Sequence, residues 1–111
     1  MPKYIEDIPI SCGEQEAAQR IGHWIGTREQ QYKIKKKEPG FVQLKGKVGK
    51  FPVKVDVHFE ITITNENVHV EAWSGGAIKA SIKPRVDWAD KLGADQAWND
   101  FENLKEMLTS L

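Results

Sequence analysis

Cysteine is almost missing from the chain: Cys12 is the single one in 111 residues. An internal disulfide and a cysteine-rich zinc site are therefore excluded. No apolar run approaches the roughly 18 residues that a membrane-spanning helix needs, and the opening Met1-Pro2-Lys3-Tyr4-Ile5-Glu6-Asp7 has acids where a secretory leader has its apolar stretch. These absences set the expectation of no membrane insertion and a reducing, cytoplasmic setting. Net charge is also lacking, with 16 basic residues against 16 acidic, which argues against bulk affinity for nucleic acid. There is no phosphate-cradling glycine loop, nucleophile elbow or zinc-protease helix, and no repeat or low-complexity linker. What the chain does have is 40% hydrophobic residues, with four Trp, four Phe and two Tyr. That is too much large apolar surface for disorder, and the length fits one domain over residues 1–111.

The spacing of apolar residues assigns the elements. Tyr4, Ile8 and Ile10 share one parity, as in a short edge strand that tolerates Pro9. Ser11 stands three residues before Glu14, the spacing of a capping box, and predicts a helix over 12–25 with Ala17, Ala18, Ile21, Trp24 and Ile25 on its buried stripe and Gly26 as its stop. From Gln31 the period becomes two: Tyr32 and Ile34, then a Glu38-Pro39-Gly40 turn, then Val42, Leu44, Gly46 and Val48. The strongest alternation follows, with Val53, Val55, Val57, Phe59, Ile61 and Ile63 on one parity. A two-residue turn at Asn65-Glu66 places Ile63 opposite Val68, Ile61 opposite Val70 and Phe59 opposite Ala72, the register that keeps every apolar side chain on one face. Ile78, Ala80 and Ile82 predict a last strand ending at Pro84, and residues 87–92 a single helical turn. Asp95 is placed to cap a terminal helix with Trp98, Phe101, Leu104, Leu108 and Leu111 on one stripe.

An antiparallel sheet with one apolar face must bury it, and the two amphipathic helices are the cover available. The expected class is α+β: a two-layer domain with an antiparallel meander sheet of four to six strands, covered on one face by an N-terminal and a C-terminal helix. Tyr4–Ile10 with the helix beginning at Ser11, the meander from Tyr32 to Ile82, and the helix from Asp95 to Leu111 together resemble a short START-type helix-grip domain. That resemblance implies a curved sheet wrapped around the C-terminal helix, with a pocket for a small hydrophobic molecule between them. The opening strand, Ser-capped helix and meander are also similar, more faintly, to the small polyhydroxyalkanoate-system family.

Three groups of residues carry possible chemistry. The inward positions facing the terminal helix mix bulky Phe59, Ile61, Trp98 and Phe101 with small Ala72, Ala80 and Gly46. Such mixing interlocks into a solid core or leaves a cavity, with the Tyr32 hydroxyl and the Trp98 indole as polar handles. On the opposite parity, Glu60 faces Glu71, Thr62 faces His69 and His58 faces Trp73, so that His58, Glu60, His69 and Glu71 fall within cross-strand or diagonal reach, about 5–8 Å, of one another. Two imidazoles and two carboxylates are a possible ligand set for a divalent cation, or simply a solvated face. Finally, eight lysines lie between Lys33 and Lys54 against the single acid Glu38. Lys33, Lys35, Lys45, Lys47 and Lys54 fall on the outward parity, either as a footprint for an anionic partner or as a solvated face. The aromatic platforms that accompany such a band in RNA-binding sheets are limited to Phe41 and Trp73. Cys12 stands at the predicted helix start, where the helix dipole activates a thiol. His23, however, lies about 16 Å further along the helix and cannot serve it as a base.

Three functions follow from these groups. The first is a module binding a small hydrophobic ligand through Tyr32, Phe59, Ile61, Ala72, Ala80, Trp98 and Phe101. The second is an interaction domain with a filled core that acts through its charged sheet face. The third is a metal-dependent enzyme on His58, Glu60, His69 and Glu71. The balance lies with binding over catalysis, no cofactor is called for, and the oligomeric state is left open.

Overall fold

The computed structural model of the chain describes residues 4–48, 55–74, 80–81 and 94–109. Within them the elements run β1 (Tyr4–Pro9), α1 (Glu14–Gly26), β2 (Tyr32–Glu38), β3 (Phe41–Val48), β4 (Val55–Ile63), β5 (Asn67–Ser74), β6 (Ala80–Ser81) and α2 (Ala94–Thr109). Every pairing is antiparallel. The sheet order is β2-β3-β4-β5, and β1 and the two-residue β6 share the far edge of β5. The chain is thus α+β, a meandering antiparallel sheet with a helix from each end region of the chain packed together.

Alternation dictates the central hairpin, and its register is the one that parity predicts: Ile63 pairs with Val68, Ile61 with Val70, Phe59 with Ala72 and His58 with Trp73. Val57, Phe59, Ile61, Val68, Val70 and Ala72 are fully buried on the face that meets the helices. A one-residue slip would expose them all. The connection 64–67 is held by Thr64, whose N–H donates to the Asn67 carbonyl at 2.9 Å and whose Oγ1 accepts from the Asn67 N–H at 3.0 Å. The β2–β3 turn has Pro39 followed by Gly40 at φ 77°, a left-handed conformation that suits glycine.

Of the predicted α1 stripe, Ala17, Ile21 and Trp24 are buried and Ile25 partly so, whereas Ala18 is exposed; α2 buries the predicted Phe101, Leu104 and Leu108 together with Ala97. Trp98 is half-buried at the edge, against Tyr4 at 5.0 Å and Phe101 at 5.4 Å. Gly46 does not leave empty space. A Cβ there would lie 2.1 Å from the Gln31 carbonyl oxygen and 2.6 Å from Tyr32 Cδ1, so the Tyr32 ring fills the position.

Several local expectations are corrected. Helix α1 begins at Glu14, after Gly13 at φ 86°, and no side chain of its own neighbourhood caps it. Ser11 is exposed, and the Glu14 N–H instead donates to Asn65 Oδ1 at 3.4 Å, from the β4–β5 turn. Cys12 therefore precedes the helix, outside the first turn where a dipole acts. Gly26 is the last helical residue. The stop is at Thr27, whose N–H donates to the His23 carbonyl and whose Oγ1 donates to the Trp24 carbonyl. Ile34 faces the core side opposite Leu44, yet it is 48% exposed. It sits on the edge strand, where a bulge between Ile34 and Lys36 bends the chain. Helix α2 starts at Ala94, one residue before the predicted cap Asp95. The expectations for Val53, residues 87–92, Ile78, Ile82 and Leu111 lie outside the described residues.

Candidate functional site

The helices meet one face of the sheet, and the opposite face carries the alternating polar residues. Among the described residues no element lies over that face. Its charge is divided. At the β1–β5–β4 end stand Asp7, His69, Glu71 and Glu60; at the β3–β2 end stand Lys45, Lys47 and Lys33, with Asp56 of β4 directly opposite Lys47.

At the acidic end His69 is held between two carboxylates. Its Nδ1 lies 2.6 Å from Asp7 Oδ1 on β1, and its Nε2 lies 3.0 Å from Glu71 Oε2. The Asp7 bond and then the Glu71 bond raise the imidazole above its ordinary pKa of 6.5. This arrangement relieves the repulsion of Glu71 and Glu60, which face each other directly across β4 and β5. Glu60 accepts from Gln43 Nε2 at 3.1 Å, and His58 stacks on Trp73 with centroids 5.1 Å apart. The four residues of the possible metal set therefore share a face, and His69 meets Glu71, but Glu60 is engaged by Gln43 and His58 by Trp73. Among the described residues no group of three His, Cys, Asp or Glu is arranged to hold a metal ion. Trp73 belongs to this outer face yet is only 7% exposed, so it is no platform for a nucleobase.

A protonated His69 bridges Asp7 to Glu71, and so β1 to β5. Because the folded-state pKa is raised, the stabilisation is fully present below the unfolded value near 6.5 and fades as pH climbs through the folded one. The difference in melting temperature between the native chain and Asp7→Asn should be largest near pH 6 and shrink on the alkaline side. A difference independent of pH across that range would refute the linkage.

At the basic end lies a depression of about 410 Å³ lined by Gln30, Gln31, Lys33, Lys35, Lys45, Gly46 and Lys47. Lys33 pairs directly with Lys45 across β2 and β3, and the Lys47 N–H donates to the Gln31 carbonyl at 3.2 Å, which fixes the approach to β2 against β3. Among the described residues none of these four lysines forms an ion pair with a carboxylate. Lys35 falls in the bulge, and Lys54 lies outside the described residues.

The expected interior ligand residues come together as packed core. Tyr32, Phe59, Ile61, Ala72 and Phe101 are each at most 1% exposed. Phe59 meets the Trp24 and Tyr32 rings edge-on, both at 5.5 Å. The Tyr32 hydroxyl is not a free handle: it donates to Asp100 Oδ2 at 2.8 Å, and burial, followed by the Asp100 charge, pushes it far above the ordinary tyrosine range. Asp100 Oδ1 accepts from Arg28 Nε at 3.0 Å, and its backbone carbonyl accepts from Trp24 Nε1 at 2.9 Å, which ties α1 to α2. Ala80 pairs with Ser74 in β6, and its side chain is outside the described set. An apolar concavity of about 220 Å³ lies elsewhere, between Ile21 and Ile25 of α1 and the Pro39-Gly40 turn, and Tyr32, Phe59, Ile61, Ala72, Trp98 and Phe101 do not line it.

Asp7 and Asp100 were missed in the sequence. Asp100 was detectable, since three residues after Ala97 and four before Leu104 it falls on the buried stripe of α2, where an acid needs a partner. Asp7 had no such signal, because its meeting with His69 depends on the distant pairing of β1 with β5.

A strand, a helix, a meander and a helix, with both helices against one sheet face and against each other, define the TBP-like fold. The chain is similar over 96% of its length to the crystal structure of a TBP-like protein from Parabacteroides distasonis, covering 91% of that chain with a TM-score of 0.63 and 13% sequence identity. No protein-family model matches the chain, and no match is found among the curated proteins. The structural match overturns the helix-grip and polyhydroxyalkanoate-system resemblances. The order of elements is common to several such folds, and here the C-terminal helix is not gripped alone by the sheet but lies beside α1 on a shared core.

Proposed function

We propose that the chain is a binding module, without catalytic chemistry of its own, which engages an anionic partner through the basic end of its polar sheet face. The observation that supports this reading most is the depression walled by Lys33, Lys35, Lys45 and Lys47, in which Lys33 and Lys45 stand directly opposite each other with no carboxylate paired to either among the described residues. Like charges directly opposed across strands destabilise a sheet. A bound anion would turn that cost into affinity. The setting proposed for this binding is the cytoplasm, where a lone cysteine stays reduced. Among the described residues no helix is long and apolar enough to cross a membrane.

The alternative, a small hydrophobic molecule held between the sheet and α2, has less support. Its lining residues are packed on one another, and its hydroxyl handle is engaged by Asp100. Chromatography on a sulfated-polysaccharide matrix separates the two. At low salt the native chain should be retained despite its zero net charge, Lys33→Gln/Lys45→Gln should elute early, and Lys36→Gln/Lys37→Gln, which removes the same charge from the neighbouring positions, should elute with the native chain. Equal elution of all three would refute the proposal. A saturable rise in fluorescence with a fatty-acid probe, lost in Ala72→Phe, would favour the interior ligand instead.

A further inference from the structure

We infer that the lysine-walled depression is a binding site for a compact oligophosphate, an anion of two or more linked phosphates. This rests on the proposed use of the basic face and goes beyond it in naming the ligand chemistry. Three features of the depression point there.

The first is charge density. Four lysines line a depression of about 410 Å³, a volume within the range of small-molecule sites. Neutralising them requires several negative charges in a small space. Linked phosphates supply that, whereas the carboxylates of an acidic peptide are spread along its backbone.

The second is the kind of cation. Among the described residues the depression is lined by lysines and no arginine. Arginine's planar fork matches a carboxylate in two-point geometry, whereas lysine binds phosphate as a point charge from any direction. Gln30 and Gln31, residues that carry neutral amide donors, also line it.

The third is what the lining lacks. No aromatic side chain is among the seven described residues that line it, and these offer a nucleobase no stacking surface. The ligand is read through its phosphates. The floor is also rigid, because Gly46 packs against the Gln31 carbonyl and the Tyr32 ring so tightly that even a Cβ has no room. An anion entering the depression therefore meets lysines that project from a fixed β2–β3 ladder, and little backbone has to be ordered on binding.

Calorimetric titration of the full chain with inorganic triphosphate at low ionic strength tests this. Saturable binding at one site is expected, weakened about tenfold or more in Lys33→Gln/Lys45→Gln and unchanged in Lys36→Gln/Lys37→Gln. Amide resonances of Gln30, Gln31 and Gly46 should shift on titration, while those of Glu71 stay in place. A nucleoside triphosphate run in parallel identifies the source: equal affinity means that phosphates alone are read, and tighter binding means that a nucleotide supplies them. The inference falls if triphosphate gives no saturable heat, if the lysine variants bind it equally, or if a single-stranded oligonucleotide binds more tightly than triphosphate. If the native chain is still retained on the polysaccharide matrix in a Lys33- and Lys45-dependent way, that outcome removes the oligophosphate and leaves the anion-binding face standing.

Discussion

Phe59→Ala should destabilise the protein by about 3–5 kcal/mol, the range for removing a fully buried aromatic ring. For a domain of this size that corresponds to a fall in melting temperature of at least about 12 °C. Phe59 sits on the central strand β4 with no exposed surface, and its ring meets Trp24 and Tyr32 edge-on. Its loss removes two aromatic contacts as well as apolar burial, and the surrounding rings are too large and too mutually fixed to collapse into the gap. Urea unfolding of the native and variant chains measures this directly, with the midpoint falling and the slope preserved. A loss below about 1.5 kcal/mol would describe a core that yields easily, as a hollow interior does.

The second large effect is expected at Asp100. Asp100→Ala should cost about 2–4 kcal/mol, because it leaves the buried Tyr32 hydroxyl without its acceptor and the Arg28 guanidinium without its carboxylate partner. Tyr32→Phe should cost only about 1 kcal/mol, since Asp100 retains Arg28. In the double variant the two losses should sum to less than their separate values, which marks a shared bond. The Arg28–Asp100 pair is mostly shielded, with side chains 18% and 13% exposed, so the cost should persist at about 1 M salt, where surface pairs are screened. A cost that vanished in salt would place the pair on the surface.

How far the sequence reaches depends on how far apart the interacting residues are. The β4–β5 register was legible because alternation from Val57 to Ile63 and a two-residue turn constrain it within some twenty consecutive residues, and the same pattern put His58 opposite Trp73 and Glu60 opposite Glu71. The start of α1 was misread because its cap comes from Asn65, 51 residues away, while Ser11 offered a local signal that the backbone does not use. Ile34 has the parity of a core residue, but parity does not say that an edge strand extends past its cover. The lysine band was visible as composition. That Gln30, Gln31 and Gly46 close it into a depression depends on how tightly the Tyr32 ring packs over Gly46, and the alternation pattern carries no trace of it. The choice between a filled and a hollow interior was undecidable from residue sizes alone, because small residues such as Ala72 and Gly46 serve either. In the fold, neighbouring rings occupy the space beside them.

The placement of β1 has a kinetic consequence. Its partner is β5, and the Asp7–His69 bond spans 62 residues, while the other long strands pair with neighbours in sequence. Loop-closure entropy for so wide a span must be met before the contact returns any free energy, so β1 docks late, onto a meander already formed. During synthesis this strand leaves the ribosome long before β5 exists. Until β5 appears, Ile8 has no core to enter and Ile5 stands beside it, leaving a short apolar strand with unsatisfied backbone groups on the nascent chain. Pro9 and the acids Glu6 and Asp7 make that strand a poor template for pairing with another copy, which suits a segment that waits for its partner.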